Sequence, residues 1–327
     1  MRLMTKNFVT VGGEKYNVRD NILDLSRKEI TDISEIKGLE NLKSLQELDL
    51  SHNQIEEITG LEKLIHLKKL FLWKNRITEI KGLETLTRLE KLFLWDNQIK
   101  EIRGLEHLTS LKKLHISLNR IEEIEGLEDL TELQTLELIS NQIEEIKGLE
   151  HLINLKELYL ERNQIEKIKG LEYLTDLQTL VLSWNRIKEI RGLEHLSILK
   201  ILSLKMNQIE EIKGLETLTN LRELDLSGNQ IKEIGGLENL TKLQILDLGG
   251  NQIEEIRGLE PVTNLLTLVL SWNKIKEIRG LELLSNLQQL KLRNNSIRND
   301  ERHLLERNAQ EIVRYCQQNV KKEQNNV

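Results

Sequence analysis

The sequence predicts an α/β solenoid, a stack of short coils whose strands form a parallel, concave β-sheet and whose convex side carries short helical or 3₁₀ segments. Two observations carry this reading. Glycine returns every 22 residues from Gly38 to Gly280, and asparagine does so from Asn53 to Asn295. Between them one unit, GLExLxxLxxLxLxxNxIxxIx, repeats with only scattered exceptions such as Ile116 and Pro261. Self-similarity at such a period builds an array in which each unit packs on its neighbours.

The elements follow in chain order. Residues 1–22 read as a hairpin cap, because FVTVGGEKYNV (Phe8 to Val18) alternates around Gly12-Gly13, the pair a tight two-residue turn needs. Residues 23–298 hold the repeats, about 13 coils of 22 residues. The first coil is irregular, with Lys28 in the asparagine place and extra residues before Gly38.

Within a unit each residue type has a task. Side chains alternate along a strand, so Leu48 and Leu50 point into the coil and Asp49 points out. The asparagine amides are expected to turn inward and satisfy backbone groups where the strand bends. Glycine suits a positive φ or a close approach to the next coil. The glutamate after each GL, Glu40 to Glu282, suits the positive end of a short turn. A basic column that includes Lys81, Arg103 and Lys147 runs beside it and is expected to offset its repulsion.

Residues 299–320 break the period and place Leu305, Ala309, Ile312, Val313, Cys316 and Val320 on one helical face, a cap for the last coil. Asn308 and Glu311 have capping-box spacing, which would divide this region into two short helices. Residues 321–327 are polar and are expected to be a disordered tail. Strands about 4.8 Å apart make a ladder on the order of 60 Å long.

Composition narrows the function classes. The 327 residues carry 47 basic and 53 acidic side chains, a net charge of -6, which argues against a nucleic-acid binder. No run is long and apolar enough for a signal peptide or a membrane span, and the single Cys316 cannot form an internal disulfide. A cytoplasmic, monomeric protein is expected. His107, His151 and His195 share a column on alternate coils, too far apart for one metal ion. No phosphate-binding glycine loop or nucleophile triad occurs, so no metal, cofactor or enzymatic activity is expected.

Function is therefore sought in outward strand positions that vary. These hold all four tryptophans of the chain and two of its three phenylalanines. Phe71, Trp73, Phe93 and Trp95 fall on adjacent strands and are expected to form one cluster. Lys69, Lys74, Lys91 and Lys113 border it, and His115, Leu118 and Ile139 extend it. Such a patch marks an interaction surface, and rigid aromatics beside cations make interface anchors commonly worth about 2 kcal/mol or more. Trp184 with Met206, and Trp272, read as smaller anchors. Glu137, Tyr159, Asp225 and Asp247 lie between and beyond them, so a partner is expected to be read by charge as well as shape. The leading reading is a non-catalytic adaptor that binds a partner protein on the concave face. The alternatives are a regulatory subunit of an enzyme such as a protein phosphatase or small GTPase and, in another class, a nucleic-acid or glycan binder using the aromatics as platforms.

The unit LxxLxLxxNxIxxIxGLExL, from about Leu23 to Ile297, closely resembles the 22-residue class of leucine-rich repeats. That class is shared by the regulatory subunit of type-1 protein phosphatase and by bacterial internalins. The resemblance implies the solenoid fold and places a phosphatase-binding column at Asp49, Phe71, Phe93, Glu137, Tyr159, Asp225 and Asp247. The later segment AQEIVRYCQQ is similar to segments that follow the repeats in prokaryotic leucine-rich proteins carrying Ras-like GTPase domains.

Overall fold

The computed structural model describes residues 7–325. They divide into two compact units, Met1–Gln164 and Ile165–Val327. The first opens with an antiparallel hairpin, β1 (Phe8–Val11) and β2 (Glu14–Asn17), turning at Gly12 and Gly13 with φ of 56° and 88°. Thr10 and Lys37 exchange two backbone hydrogen bonds of 3.0 and 2.9 Å, which fasten the hairpin to the first coil. Lys28 lies 4.9 Å above the Tyr16 ring, a further clasp from the residue in the asparagine place.

The remaining strands of the first unit are parallel and three residues long. They are β3 (Ile22–Asp24), β4 (Glu47–Asp49), β5 (Lys69–Phe71), β6 (Lys91–Phe93), β7 (Lys113–His115), β8 (Thr135–Glu137) and β9 (Glu157–Tyr159). The second unit repeats the pattern in β10 (Thr179–Val181), β11 (Ile201–Ser203), β12 (Glu223–Asp225), β13 (Ile245–Asp247), β14 (Thr267–Val269) and β15 (Gln289–Lys291). Each unit is thus a solenoid segment with a parallel sheet along one face.

The core of each coil lies between its strand and its return segment. Leu48, Leu50, Ile55, Ile58, Leu61, Leu64 and Leu67 are all fully buried. At about 1.5–3 kcal/mol for each such side chain, this burial is the main force closing a coil. The asparagines join one coil to the next: Asn97 donates to the carbonyls of Leu72 and Leu94 at 3.0 Å and accepts from the Ile77 amide at 3.0 Å. Return segments turn by short i to i+3 bonds, such as Leu64 N–H to Leu61 at 2.9 Å, and only Leu39–Asn41 of the convex LExL positions completes a 3₁₀ helix.

Glycine at 82 has φ 73°, and a Cβ there would collide with the Ile58 carbonyl. Both reasons for the glycine column therefore apply at once. The glutamates turn inward locally: Glu62 and Glu84 each accept from the amide of the glycine two residues before, at 3.1 Å. The basic column pairs elsewhere than expected. Lys81 reaches Glu57 at 3.4 Å, and Lys147 reaches Glu123 at 2.6 Å, both exposed glutamates of the preceding coil. The GL glutamates are already held by the glycine amides, which leaves the exposed glutamates as the free carboxylates.

After the last strand, a 3₁₀ turn (Arg302–Glu306) leads into the helix α1 (Ala309–Asn325). The Asn308 and Glu311 side chains exchange bonds of 3.2 and 3.0 Å with each other's amides, a capping box at the start of α1. Ile312, Val313 and Cys316 are buried, while Gln310 and Gln317 donate to carbonyls of the last coil. Two details depart from the sequence reading. Leu304, rather than Leu305, is the buried leucine, because the 3₁₀ turn breaks the periodicity that would carry the α1 face back to 305. Residues 321–325 continue α1 where a disordered tail was expected, since Lys, Glu and Gln extend a helix at little cost. Residues 326 and 327 lie outside the described residues, as do 1–6 of the expected hairpin cap. Among the described residues no helix is long and apolar enough to cross a membrane.

Candidate functional site

The strand face of the first unit carries the expected cluster. Parallel register sets Phe71 beside Phe93, and the two rings stack with centroids 4.8 Å apart and planes 4° apart. Two residues further on, Trp73 and Trp95 stack at 4.6 Å and 9°. All four are half-buried, and each pair covers one face of each ring. Such stacking adds about 0.5–1.5 kcal/mol beyond area burial.

The cluster is longer than the two pairs. His115 stands edge-on to Phe93 at 6.3 Å and lies nearly parallel to Trp95 at 5.9 Å. Burial holds His115 below the ordinary imidazole value against the opposing pull of Glu137, 3.4 Å away. Glu137 also pairs with Lys113, and Lys69 pairs with Glu47 at 2.8 Å, so both lysines reach carboxylates of a neighbouring coil. Lys91 is exposed. Leu118 is 48% exposed, and its amide donates to the Ile139 carbonyl at 2.8 Å, which continues the apolar floor. Tyr159 follows; burial and then Glu157, Glu137 and Glu161 push its hydroxyl above the ordinary phenol value.

The backbone supplies what residue types alone did not show. His52, Lys74, Asp96, Leu118, Ser140 and Arg162 all have φ of 54–61°, a left-handed residue at the same place in each coil. The conformation costs on the order of 1 kcal/mol for a non-glycine residue. It is held by bonds such as His52 N–H to Trp73 C=O at 2.9 Å. The turn aims His52 edge-on at Trp73, 4.3 Å between centroids, and carries the Lys74 ammonium over both indoles, 5.8 and 5.4 Å from their centres. His52 and Lys74 thus belong to the cluster. The sequence held a signal for this column, since Gly228, Gly250 and Asn294, residue types tolerant of positive φ, occupy it further along.

In the second unit the smaller anchors sit on that same column. Trp184, Met206 and Trp272 have φ of 58°, 54° and 60° and are 46%, 37% and 68% exposed. Met206 lies over Gly228, whose missing side chain makes room for its sulfur. Asp225 and Asp247 pair across adjacent strands, and each uses one oxygen to hold its own turn: Asp225 accepts from the Ser227 amide at 2.9 Å, Asp247 from the Gly249 amide at 2.9 Å. Burial and then the nearby Asp225 raise the Asp247 carboxyl above the ordinary range, opposed by the Gly249 amide. Among the described residues no three His, Cys, Asp or Glu side chains converge as metal ligands.

The profile described as leucine-rich repeats, two copies, matches residues 21–196 and 197–261 in overlapping windows. The chain belongs to the leucine-rich repeat family. An internalin, InlF, of Listeria monocytogenes is 30% identical, with a TM-score of 0.77, covering 85% of this chain and 82% of its own. A leucine-rich repeat protein of Leptospira interrogans is 28% identical, with a TM-score of 0.79 and coverage of 90% and 82%. The LRIM1/APL1C complex contains a chain 25% identical, with a TM-score of 0.68, covering 79% of this chain and 50% of that one. No curated protein matches. A leucine-rich repeat array is typically a scaffold for protein interaction, and this repeat protein displays its variable residues on the strand face.

Proposed function

We propose that this leucine-rich repeat protein is a non-catalytic adaptor whose strand face in the first unit binds another protein. One observation carries the reading. The repeat core is complete without aromatic residues, yet Phe71, Trp73, Phe93 and Trp95 stand half-open on adjacent strands with Lys74 above the indoles. Large apolar surface held rigid and partly solvated costs a free protein solubility and serves a bound one. That a similar solved structure is a complex of two proteins supports the same reading. The lone buried Cys316 fits a reducing, cytoplasmic setting.

A regulatory subunit acting on an enzyme is the second reading, favoured by the run of aromatic then acidic residues, Phe93, His115, Glu137, down one strand column. The test is capture from a lysate of the source cell with the native chain and with a Phe71→Ala, Trp73→Ala, Phe93→Ala, Trp95→Ala variant whose fold is verified by circular dichroism. A protein retained by the first and lost by the second supports the site. Equal retention assigns the rings to the scaffold. An effect of the native chain on the captured protein's catalytic activity would select the regulatory reading.

A further inference from the structure

Along the strand face of the first unit the charge changes sign. Lys69, Lys91 and Lys113 open β5, β6 and β7, whereas Thr135 and then Glu157 open β8 and β9. Lys69 and Lys113 are committed to Glu47 and Glu137, while Lys91, beside Phe93, forms no ion pair among the described residues. At the other end, Glu157, Tyr159 and Glu161 lie on and just past β9. One oxygen of Glu161, Oε2, is buried and accepts no hydrogen bond. Burial, followed by Glu137, holds this carboxyl above its ordinary value. A buried acceptor without a donor is destabilising. Between the two ends run Trp95, His115, Leu118 and Ile139, with Lys113 and Glu137 paired to each other.

We infer that the occupant of this face is a segment of a partner protein with two unlike ends. An aromatic or apolar side chain followed by an acidic one sits over Trp95 and Lys91, and an arginine or lysine sits against Glu157 and Glu161. The inference rests on the proposed binding role and names the chemistry of its ligand. β6 and β9 are three strand spacings apart, about 14 Å, which an extended chain covers in about four or five residues and a helix in about ten. The partner's basic residue therefore lies one of those intervals from its aromatic.

The test is selection of displayed random 12-residue peptides on the full chain. Each enriched peptide is then titrated against three forms: native, Glu157→Lys with Glu161→Lys, and the fourfold alanine variant. The expected peptides pair an aromatic with a basic residue at either spacing, and lose about tenfold in affinity on charge reversal. They recover it when their basic residue is exchanged for glutamate. Glu157→Gln with Glu161→Gln, which adds no charge, serves if the reversal fails to fold, with a smaller loss expected. Peptides that bind native and reversed forms equally but lose the alanine variant overturn this inference and leave the binding role standing. Peptides indifferent to all variants overturn both, and a selection that enriches nothing overturns the inference. A dimer of the chain itself, dissolved by the same reversal, would also overturn it.

Discussion

Trp73 and Trp95 are stacked 4.6 Å apart across neighbouring coils, so each indole is both a wall for the other and part of the open surface. The two roles separate by measurement. Trp73→Ala and Trp95→Ala, alone and together, are expected to show a coupling of about 0.5–1.5 kcal/mol in unfolding free energy. Additive losses would mean that the rings do not support each other in solution.

The asparagine ladder predicts a larger effect from a smaller change. Asn97→Ala leaves the Ile77 amide without a partner in a buried place, while the Leu72 and Leu94 carbonyls each lose one bond and keep the one from Asn75 and Asn119. The expected loss is about 1–3 kcal/mol, read as a fall in the urea midpoint. A loss below about 1 kcal/mol would contradict a structural role for the ladder.

Two glycines make a controlled pair. Gly82→Ala meets both a positive φ and the Ile58 carbonyl, and is expected to cost at least about 2 kcal/mol in thermal or urea unfolding. Gly235 has open space around its Cβ direction, so Gly235→Ala is expected to change stability by less than about 1 kcal/mol.

Glu161 predicts a pH dependence with a definite sign. Its folded value lies above the ordinary 4.5, so the folded chain holds this proton more tightly than the unfolded one. The stabilisation from the protonated form is full below 4.5 and is lost as pH rises through the folded value. Glu161→Gln keeps the neutral form throughout. Urea titrations are expected to show the variant gaining on the native chain between acid and neutral pH, and the difference closing in acid.

Cys316, on α1, is buried against the last coil; its Sγ donates to the Ile278 carbonyl at 3.5 Å, and burial pushes the thiol up to about 11. At mildly alkaline pH its reaction with a disulfide reagent is expected to run about a hundredfold slower than that of an exposed thiol, and to reach the ordinary rate in urea.

The parts of this molecule that were legible in the sequence are those a period can express. Leu48, Leu50, Ile55 and Asn53 recur because every coil poses the same packing and hydrogen-bonding problem, so one unit explains the core and the ladder. Phe71, Trp73, Phe93 and Trp95 were legible as a cluster because 22-residue spacing places them on adjacent strands. The left-handed column was not read, since alternation along a strand says which face a side chain takes and nothing about φ. His52 was therefore not assigned to the site, and Lys74 only to its border, although Gly228 and Gly250 marked the column. Nor did side-chain type reveal that Asp225 and Asp247 each commit an oxygen to the turn that follows. That commitment depends on the bend after the strand rather than on the strand itself.

The most direct measurement of the central claim is photo-crosslinking in the source-cell lysate from a benzophenone amino acid placed at Phe93 or at Tyr173. The first is on the strand face, and the second is a 59% exposed aromatic on a return segment. Covalent adducts to one protein from position 93 and none from 173 are the expected result. Adducts from 173 with none from 93 would contradict the assignment of binding to the stacked rings.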